Sequence, residues 1–388
     1  MSDIIIITDW GSDPPAFAGA LAMAFTVVPA SVATVTAEAV ASARVVVVYS
    51  KLRQADDVAR LGEVIGEDRR RTDTIYVASS SDRAGLVQAE ALKIGLILPS
   101  FRSSRDIRAA VQKILNRGLE AGLQRRSRLV ANAIETGDAL YQELGAAMRA
   151  DKPLPPEVLV ATARAIGEAT RREGLAEWLD AVQLHHSGTC RHMLTVAGHA
   201  SSFGQYLSLH ESDVAMLAEA ALLHDVGKLF IPISVLEKTG ELTEMERRAI
   251  NTHSMRGASA LVRGGRTAKE VIAAVRDHHE YLDGSGYPRG VGADGLGPLT
   301  RMITIADIYS ALTEERPYKE AMTPRQSITI MAGLKGKLDN RLFAAFRSMV
   351  LDPVFAKKQA SVLPGSGGRP ACLQAGIHPF DASQETAA

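Results

Sequence analysis

Ten histidines occur in this 388-residue chain, and five of them share short motifs with two aspartates. In order, these are His192 in Thr189-Cys190-Arg191-His192, then His224-Asp225-Val226-Gly227-Lys228, then His253 in His253-Ser254-Met255-Arg256-Gly257. His278-His279-Glu280 and Ile305-Ala306-Asp307 complete the set. Imidazole and carboxylate together suit Fe, Mn or Zn better than Ca or Mg. Seven such groups exceed the need of one tetrahedral ion. The economical reading is two ions sharing a carboxylate, an arrangement suited to phosphoester hydrolysis.

The elements that must position these groups are helices. His224-Asp225 end a helix whose apolar face includes Val214, Leu217, Ala221 and Leu222, so both side chains are expected to be partly buried. His278-His279 end a helix expected over residues 268–277. Asp307 lies in the apolar run Met302-Ile303-Thr304-Ile305-Ala306-Asp307-Ile308. A buried carboxylate is costly unless it is paired or bound to a metal. A lone internal histidine is usually a satisfied core or surface residue, and an isolated His-Asp pair says little. The complete set, at helix ends and beside the Gly-rich loop His279-Glu280-Tyr281-Leu282-Asp283-Gly284-Ser285-Gly286-Tyr287-Pro288, says much more.

With those residues in hand, residues 189–319 resemble the HD-GYP branch of the HD phosphohydrolase superfamily. The name-giving motifs are His224-Asp225 and Gly286-Tyr287-Pro288. His253-x-x-x-Gly257, His278-His279-Glu280, Ala306-Asp307 and Arg316-Pro317-Tyr318-Lys319 support them. The resemblance implies an all-helical catalytic domain that hydrolyses cyclic di-GMP to the linear dinucleotide pGpG. It implies that His192, His224, Asp225 and Asp307 hold one metal. Asp225, His253, His278 and His279 would hold the second, with Asp225 as the bridge and a catalytic residue. Lys228 would contact a substrate phosphate and support catalysis, while Gly286, Tyr287, Arg316 and Lys319 would line the substrate pocket. The implied cofactors are two divalent ions, iron first and manganese as a substitute. A hydroxide bridging the two ions would attack phosphorus in line with the leaving 3′ oxygen.

Two departures from the family pattern matter. Some members place a Glu one turn before the first His and hold a third ion; here that position is Gly188, so two ions and pGpG are expected. His185, two turns before His192, is expected at the surface rather than as a substitute ligand. Ser310 stands where the family often has Asp, which predicts weaker support behind Asp307. A catalytically silent cyclic-dinucleotide sensor is the alternative from another class. A phosphohydrolase of another nucleotide is the alternative within the same class.

The first 120 residues alternate Ile- and Val-rich strand candidates (3–8, 31–35, 44–50, 74–79, 94–99) with helix candidates (17–25, 37–43, 55–65, 82–91, 105–116). This alternation predicts a doubly wound parallel sheet and resembles a response-regulator receiver domain. The receiver chemistry is mostly missing. Asp9 is followed by Trp10 rather than a second acid, and Ser50-Lys51 ends the third strand where a phosphorylated Asp would stand. The expectation is therefore a multidomain chain: an N-terminal α/β, doubly wound, receiver-like domain (1–120), a helical connector (121–184), an all-α HD-GYP domain (185–350) and a disordered tail (351–388).

Composition sets the outer limits. Forty-four Lys+Arg balance 44 Asp+Glu, which argues against a nucleic-acid polymer or an anionic membrane as partner. Residues 14–37 are uncharged and long enough to span a bilayer, but their Pro, Gly, Ser and Ala content predicts a buried helix followed by a strand. Two distant cysteines exclude a disulfide framework and point to the cytoplasm. Residues 1–150 are the expected surface for a second copy or a signalling partner.

Overall fold

The computed structural model describes residues 2–9, 15–78, 83–98, 103–150, 152, 156–185, 187–236, 238, 240–265, 267–314 and 321–352. Two compact units divide the chain, one of Met1–Glu120 with Pro232–Lys238 and one of Ala121–Ile231 with Thr239–Ala388.

The first unit is a parallel sheet of β1 (Ser2–Thr8), β2 (Val27–Ser31), β3 (Ala43–Tyr49), β4 (Thr74–Val77) and β5 (Leu96–Leu98), in the order β2-β1-β3-β4-β5. That order belongs to the doubly wound α/β class. Its helices are α1 (Ala16–Ala22), α2 (Ala37–Ala41), α3 (Ala55–Ile65), α4 (Glu67–Thr72), α5 (Arg83–Ala91) and α6 (Ser104–Leu123). Side chains alternate across a strand, so each strand feeds two cores. Ile4, Ile6, Val45, Val47, Ile75 and Val77 meet Phe17 and Leu21 of α1 and Ile107 and Val111 of α6. Ile5, Ile7, Val46, Val48 and Tyr76 meet Val40 of α2, Leu61 and Ile65 of α3 and Ala89 of α5.

One strand is displaced from its expected position. β2 occupies Val27–Ser31 rather than 31–35, pairing Ile4 with Val27 and Thr8 with Ser31. Val32 and Val35 imitate a strand because they are buried in the turn that follows it. Pro29 is tolerated inside β2 because this is an edge strand, where a missing N–H breaks no interior ladder. The six-residue α4 was not foreseen, being polar throughout. The uncharged stretch forms α1, with Phe17 and Leu21 buried, and then β2. Among the described residues, no helix is long and apolar enough to cross a membrane.

The second unit is helical: α7 (Arg128–Ala150), α8 (Pro156–Glu173), α9 (Leu175–Val182), α10 (Gly188–Tyr206) and α11 (Glu211–Leu223) come first. A 3-10 turn (Val226–Phe230) follows, then the four-residue α12 (Ile233–Leu236), which falls in the other unit. Next are α13 (Glu244–Asn251), α14 (His253–Gly264), α15 (Lys269–Asp277), α16 (Pro298–Thr313), α17 (Pro324–Ala332) and α18 (Asn340–Leu351). The Pro-rich break falls between α7 and α8, with Pro156 as the first helical residue, where a missing N–H is harmless. Helices α10, α11 and α16 are buried on nearly every side and pack on one another. A helix apolar all round belongs to the centre of a bundle. The tail expected from residue 351 onward lies almost wholly outside the described residues.

Candidate metal centre

Helix ends bring the candidate ligands together. α11 runs into His224, its C-cap, and Asp225 then caps the 3-10 turn. His253 is the first residue of α14, and His278 is the C-cap of α15. His192 and Asp307 project instead from within α10 and α16. Gly227 sets the spacing between two of these segments. A Cβ there would lie 1.8 Å from the carbonyl oxygen of His253, so only glycine lets the His224-Asp225 turn approach the start of α14.

The seven residues form two groups that meet at Asp225. Potential ligand atoms of His192, His224 and Asp307 lie within 4.8 Å of one another, and those of Asp225, His253, His278 and His279 do the same. The two carboxylate oxygens of Asp225 face opposite groups. Oδ2 stands 3.3 Å from His224 Nε2 and 3.7 Å from His192 Nε2. Oδ1 stands 3.2 Å from His253 Nε2 and 3.9 Å from His278 Nε2. On the first side, Asp307 Oδ1 lies 3.0 Å from His192 Nε2 and 3.8 Å from His224 Nε2.

The outer nitrogens explain why the inner ones are available. Nδ1 of His224, His253 and His278 lies 2.7, 2.7 and 2.9 Å from the carbonyl oxygens of Ala221, Ile250 and Val275. A carbonyl can only accept, so each Nδ1 carries the proton and each Nε2 presents a lone pair. Among the described residues, His224 Nε2 and Asp225 Oδ1 have no hydrogen-bond partner although both are buried. Buried polar atoms are rarely left so. Deprotonated carboxylates, Nε2 lone pairs and two orphaned atoms aimed at one centre fit divalent metal ions.

The electrostatics agree. Burial opposes the charge on Asp225, but Lys228 and His224 hold its carboxyl well below the usual range. Burial likewise opposes Asp307, and the hydrogen bond and charge of His192, with His224, hold it far below. Burial, with neighbouring imidazoles, drives His278 well below its ordinary value and His279 down to about 4. His192 differs: against burial, Asp307 and Glu314 push it up to about 9. A divalent ion would have to displace that proton.

The remaining expected site residues divide. Lys228 Nζ sits 2.5 Å from Asp225 Oδ2, with its side chain partly open to solvent. Tyr287 stacks on His279 with ring centroids 4.7 Å apart. Burial, followed by the charges of Asp225 and Asp307, raises its phenol well above the ordinary value. A Cβ at Gly286 would lie 2.4 Å from Glu280 Cα and 2.5 Å from His279 O, so this glycine lets the loop close onto the His278-His279 turn. Arg316 and Lys319 lie outside the described residues.

The two departures have defined surroundings. Gly188 is the first residue of α10 and offers no side-chain ligand. His185 is not at the surface: it is 1% exposed, precedes the helix and places Nε2 2.8 Å from Asp138 Oδ1. Cys190 completes a separate group with those two residues. The Ser310 hydroxyl donates to Ala306 O at 2.7 Å, and its oxygen lies 2.8 Å from His199 Nδ1. Burial lowers His199 to about 3, so a neutral hydroxyl faces a neutral imidazole.

Sequence reasoning missed three supporting acids. Glu280 Oε1 accepts from the backbone N–H of Arg289 and Gly290 at 2.5 and 3.0 Å, pinning the Gly-Tyr-Pro loop. Asp277 holds the Arg289 guanidinium through two hydrogen bonds of 3.0 and 2.8 Å. Glu314 lies 3.2 Å from His192 Nδ1. The Glu ending His278-His279-Glu280 was the one visible signal. The other two depend on partners distant in sequence.

The stretch that carries these residues is similar in sequence to known proteins. Residues 160–342 match the model of the HD domain family. Among curated proteins, a 3′3′-cGAMP-specific phosphodiesterase 3 of Vibrio cholerae serotype O1 is 39% identical over 160 residues, covering 41% of this chain and 35% of that protein. A cyclic di-GMP phosphodiesterase of Pseudomonas aeruginosa is 34% identical over 158 residues, covering 41% and 38%. A cyclic di-GMP phosphodiesterase response regulator of Xanthomonas campestris pv. campestris is 34% identical over 172 residues, covering 44% and 46%. Each match spans less than half of the relative's own length.

Proposed function

We propose that this chain is a metal-dependent phosphodiesterase that hydrolyses cyclic di-GMP, mainly to pGpG. The observation that carries the reading is Asp225 between two imidazole groups, with one carboxylate oxygen turned toward each. His192, His224, Asp225 and Asp307 would hold one divalent ion, and Asp225, His253, His278 and His279 the other. Mixed imidazole and carboxylate donors suit Fe, Mn or Zn, and the resemblance to the HD-GYP branch favours iron, with manganese as a substitute. When bound, two such ions lower the pKa of water and offset charge on a phosphodiester.

The chain's own groups prepare the site for an anion. The Lys228 ammonium rests on Asp225 and is free to turn toward a non-bridging phosphate oxygen. Tyr287 stays a neutral phenol and shields the His279 side from water. Gly286 allows the loop to lie against the His278-His279 turn, which keeps Tyr287 over His279. Arg316 and Lys319 are proposed to line the same pocket. Residues 185–350 are the proposed catalytic domain and 121–184 its connector.

A second substrate, 3′3′-cGAMP, is favoured by one observation: the Vibrio cholerae relative named for it is 39% identical over the matched residues. The complete ligand set weighs against a silent sensor, which needs no such set.

The N-terminal unit is proposed as a receiver-like input module that is not phosphorylated. Asp9 accepts a hydrogen bond from the Ser50 hydroxyl and, at 3.0 Å, from the Lys51 N–H. The residues after β3, Ser50 and Lys51, supply no carboxylate where an acceptor would be needed. Labelling with acetyl phosphate should give no incorporation.

The deciding experiment uses the full chain purified without oxygen. Metal content is counted, and cyclic di-GMP and 3′3′-cGAMP are followed by chromatography beside Asp225→Ala. Two bound ions and pGpG release support the proposal. Absence of turnover despite two bound ions refutes it.

A further inference from the structure

We infer that Glu314 is a positioning residue for His192 and sets the metal affinity of the group formed by His192, His224 and Asp307. The inference rests on the metal-centre reading above. It begins with an asymmetry among the histidines. His224, His253 and His278 anchor Nδ1 on the carbonyls of Ala221, Ile250 and Val275. All three carbonyls lie in the last turns of α11, α13 and α15, where the i→i−4 ladder runs out of donors and leaves acceptor capacity open.

His192 has no such carbonyl within reach of its own helix. It sits one turn inside α10, where backbone carbonyls are engaged by the ladder. Its ring must be held by a side chain, and Glu314 Oε2 supplies the contact at 3.2 Å. Glu314 is the C-cap residue of α16, and α16 also carries Asp307. One helix therefore presents carboxylates to both nitrogens of the same imidazole: Asp307 at Nε2, 3.0 Å away, and Glu314 at Nδ1.

The Glu314 side chain is only 2% exposed. A buried carboxylate requires compensation. Arg191, next to His192 in sequence, brings Nε to 3.7 Å from Glu314 Oε1 and donates through Nη1 to His185 O at 3.3 Å. The carboxylate is thus seated to fix the ring's orientation, keep the proton on Nδ1 and make Nε2 a stronger donor. Partners of this kind typically change metal affinity by about 10–100-fold. His224, His253 and His278 rest on neutral carbonyls, so the carboxylate at His192 sets its group apart.

The test is a Mn²⁺ titration of the chelated full chain, resolved into two binding steps. Glu314→Ala should weaken one step by about 10–100-fold and leave the other unchanged. Glu314→Gln keeps an oxygen acceptor without the charge and should recover part of the loss. In a His192→Ala background, Glu314→Ala should have no further effect, which a merely structural role would not produce. Unchanged affinities, equal weakening of both steps, or an undiminished effect without His192 would overturn the inference. If the alanine variant does not fold, the glutamine variant decides: weakening of one step supports the role, and none refutes it. Failure of the unaltered protein to bind Mn²⁺ would instead sink the metal-centre reading, and the inference with it.

Discussion

Substitution of Gly227 by alanine tests whether backbone contact sets the geometry of the centre. The new Cβ would lie 1.8 Å from His253 O, 2.7 Å from His253 C and 2.8 Å from Gly257 N. All three are backbone atoms, so no side chain can swing away. Ordinary contact begins near 3.4 Å, and the two segments must part by about 1.5 Å in an interior that does not compress. Overpacking of this kind typically costs about 1–3 kcal/mol, which for a unit of this size lowers Tm by about 2–12 °C. The same parting carries His253 away from Asp225, now 3.2 Å apart. Two ligands of one ion each need a bond of about 2.0–2.2 Å, so metal binding in the second group should fail. Gly240→Ala is the control, since nothing lies within 4 Å of its Cβ and its backbone is not left-handed. Calorimetry of the chelated proteins, with metal counting after reloading, gives the answer. A Gly227→Ala protein that melts with the control and retains two ions would refute the argument.

Three further outcomes follow from the same geometry. Asp225→Ala should lose both ions together, whereas His279→Ala should weaken one; metal counting separates them, and equal loss would contradict the shared carboxylate. In the chelated protein, His192 titrates near 9 when folded against 6.5 ordinarily, so the folded state binds the extra proton between those values. Stability is then fully present below pH 6.5 and falls as pH rises toward 9; melts across that range should show the fall, and His192→Ala should remove it. Burial raises Glu219 above its ordinary 4.5, so its ionised form penalises folding at neutral pH. Glu219→Gln should raise Tm at pH 7, with the gain fading as pH falls toward 4.5 and gone below it; a constant difference would refute the assignment.

Several candidate ligands were legible in the sequence because they occupy places with a local cause, whereas His192 and His253 were legible only through the family resemblance. Helix ends deliver His224-Asp225 and His278-His279, and an apolar run cannot easily hold a lone Asp307. The strands were legible from their Ile and Val runs, except where buried turn residues imitated one. Val32 and Val35 drew the second strand four residues too far along. What stayed hidden depends on tertiary neighbours. Glu314 reads as one more charge at a helix end until α16 packs on α10 and sets it against His192. His185 reads as a surface residue until α7 brings Asp138 to it.

The sequence distance across the centre has a kinetic consequence. His192 and Asp307 are 115 residues apart in the chain, and the groups that meet at Asp225 come from segments scattered between them. No short fragment can present either complete set, so the site forms only once the long-range topology has closed. Contacts that complete late in folding act mainly on the unfolding rate. Bound ions would then serve as a lock closed after assembly: they would slow the escape of the native state and leave its formation to the apolar helices.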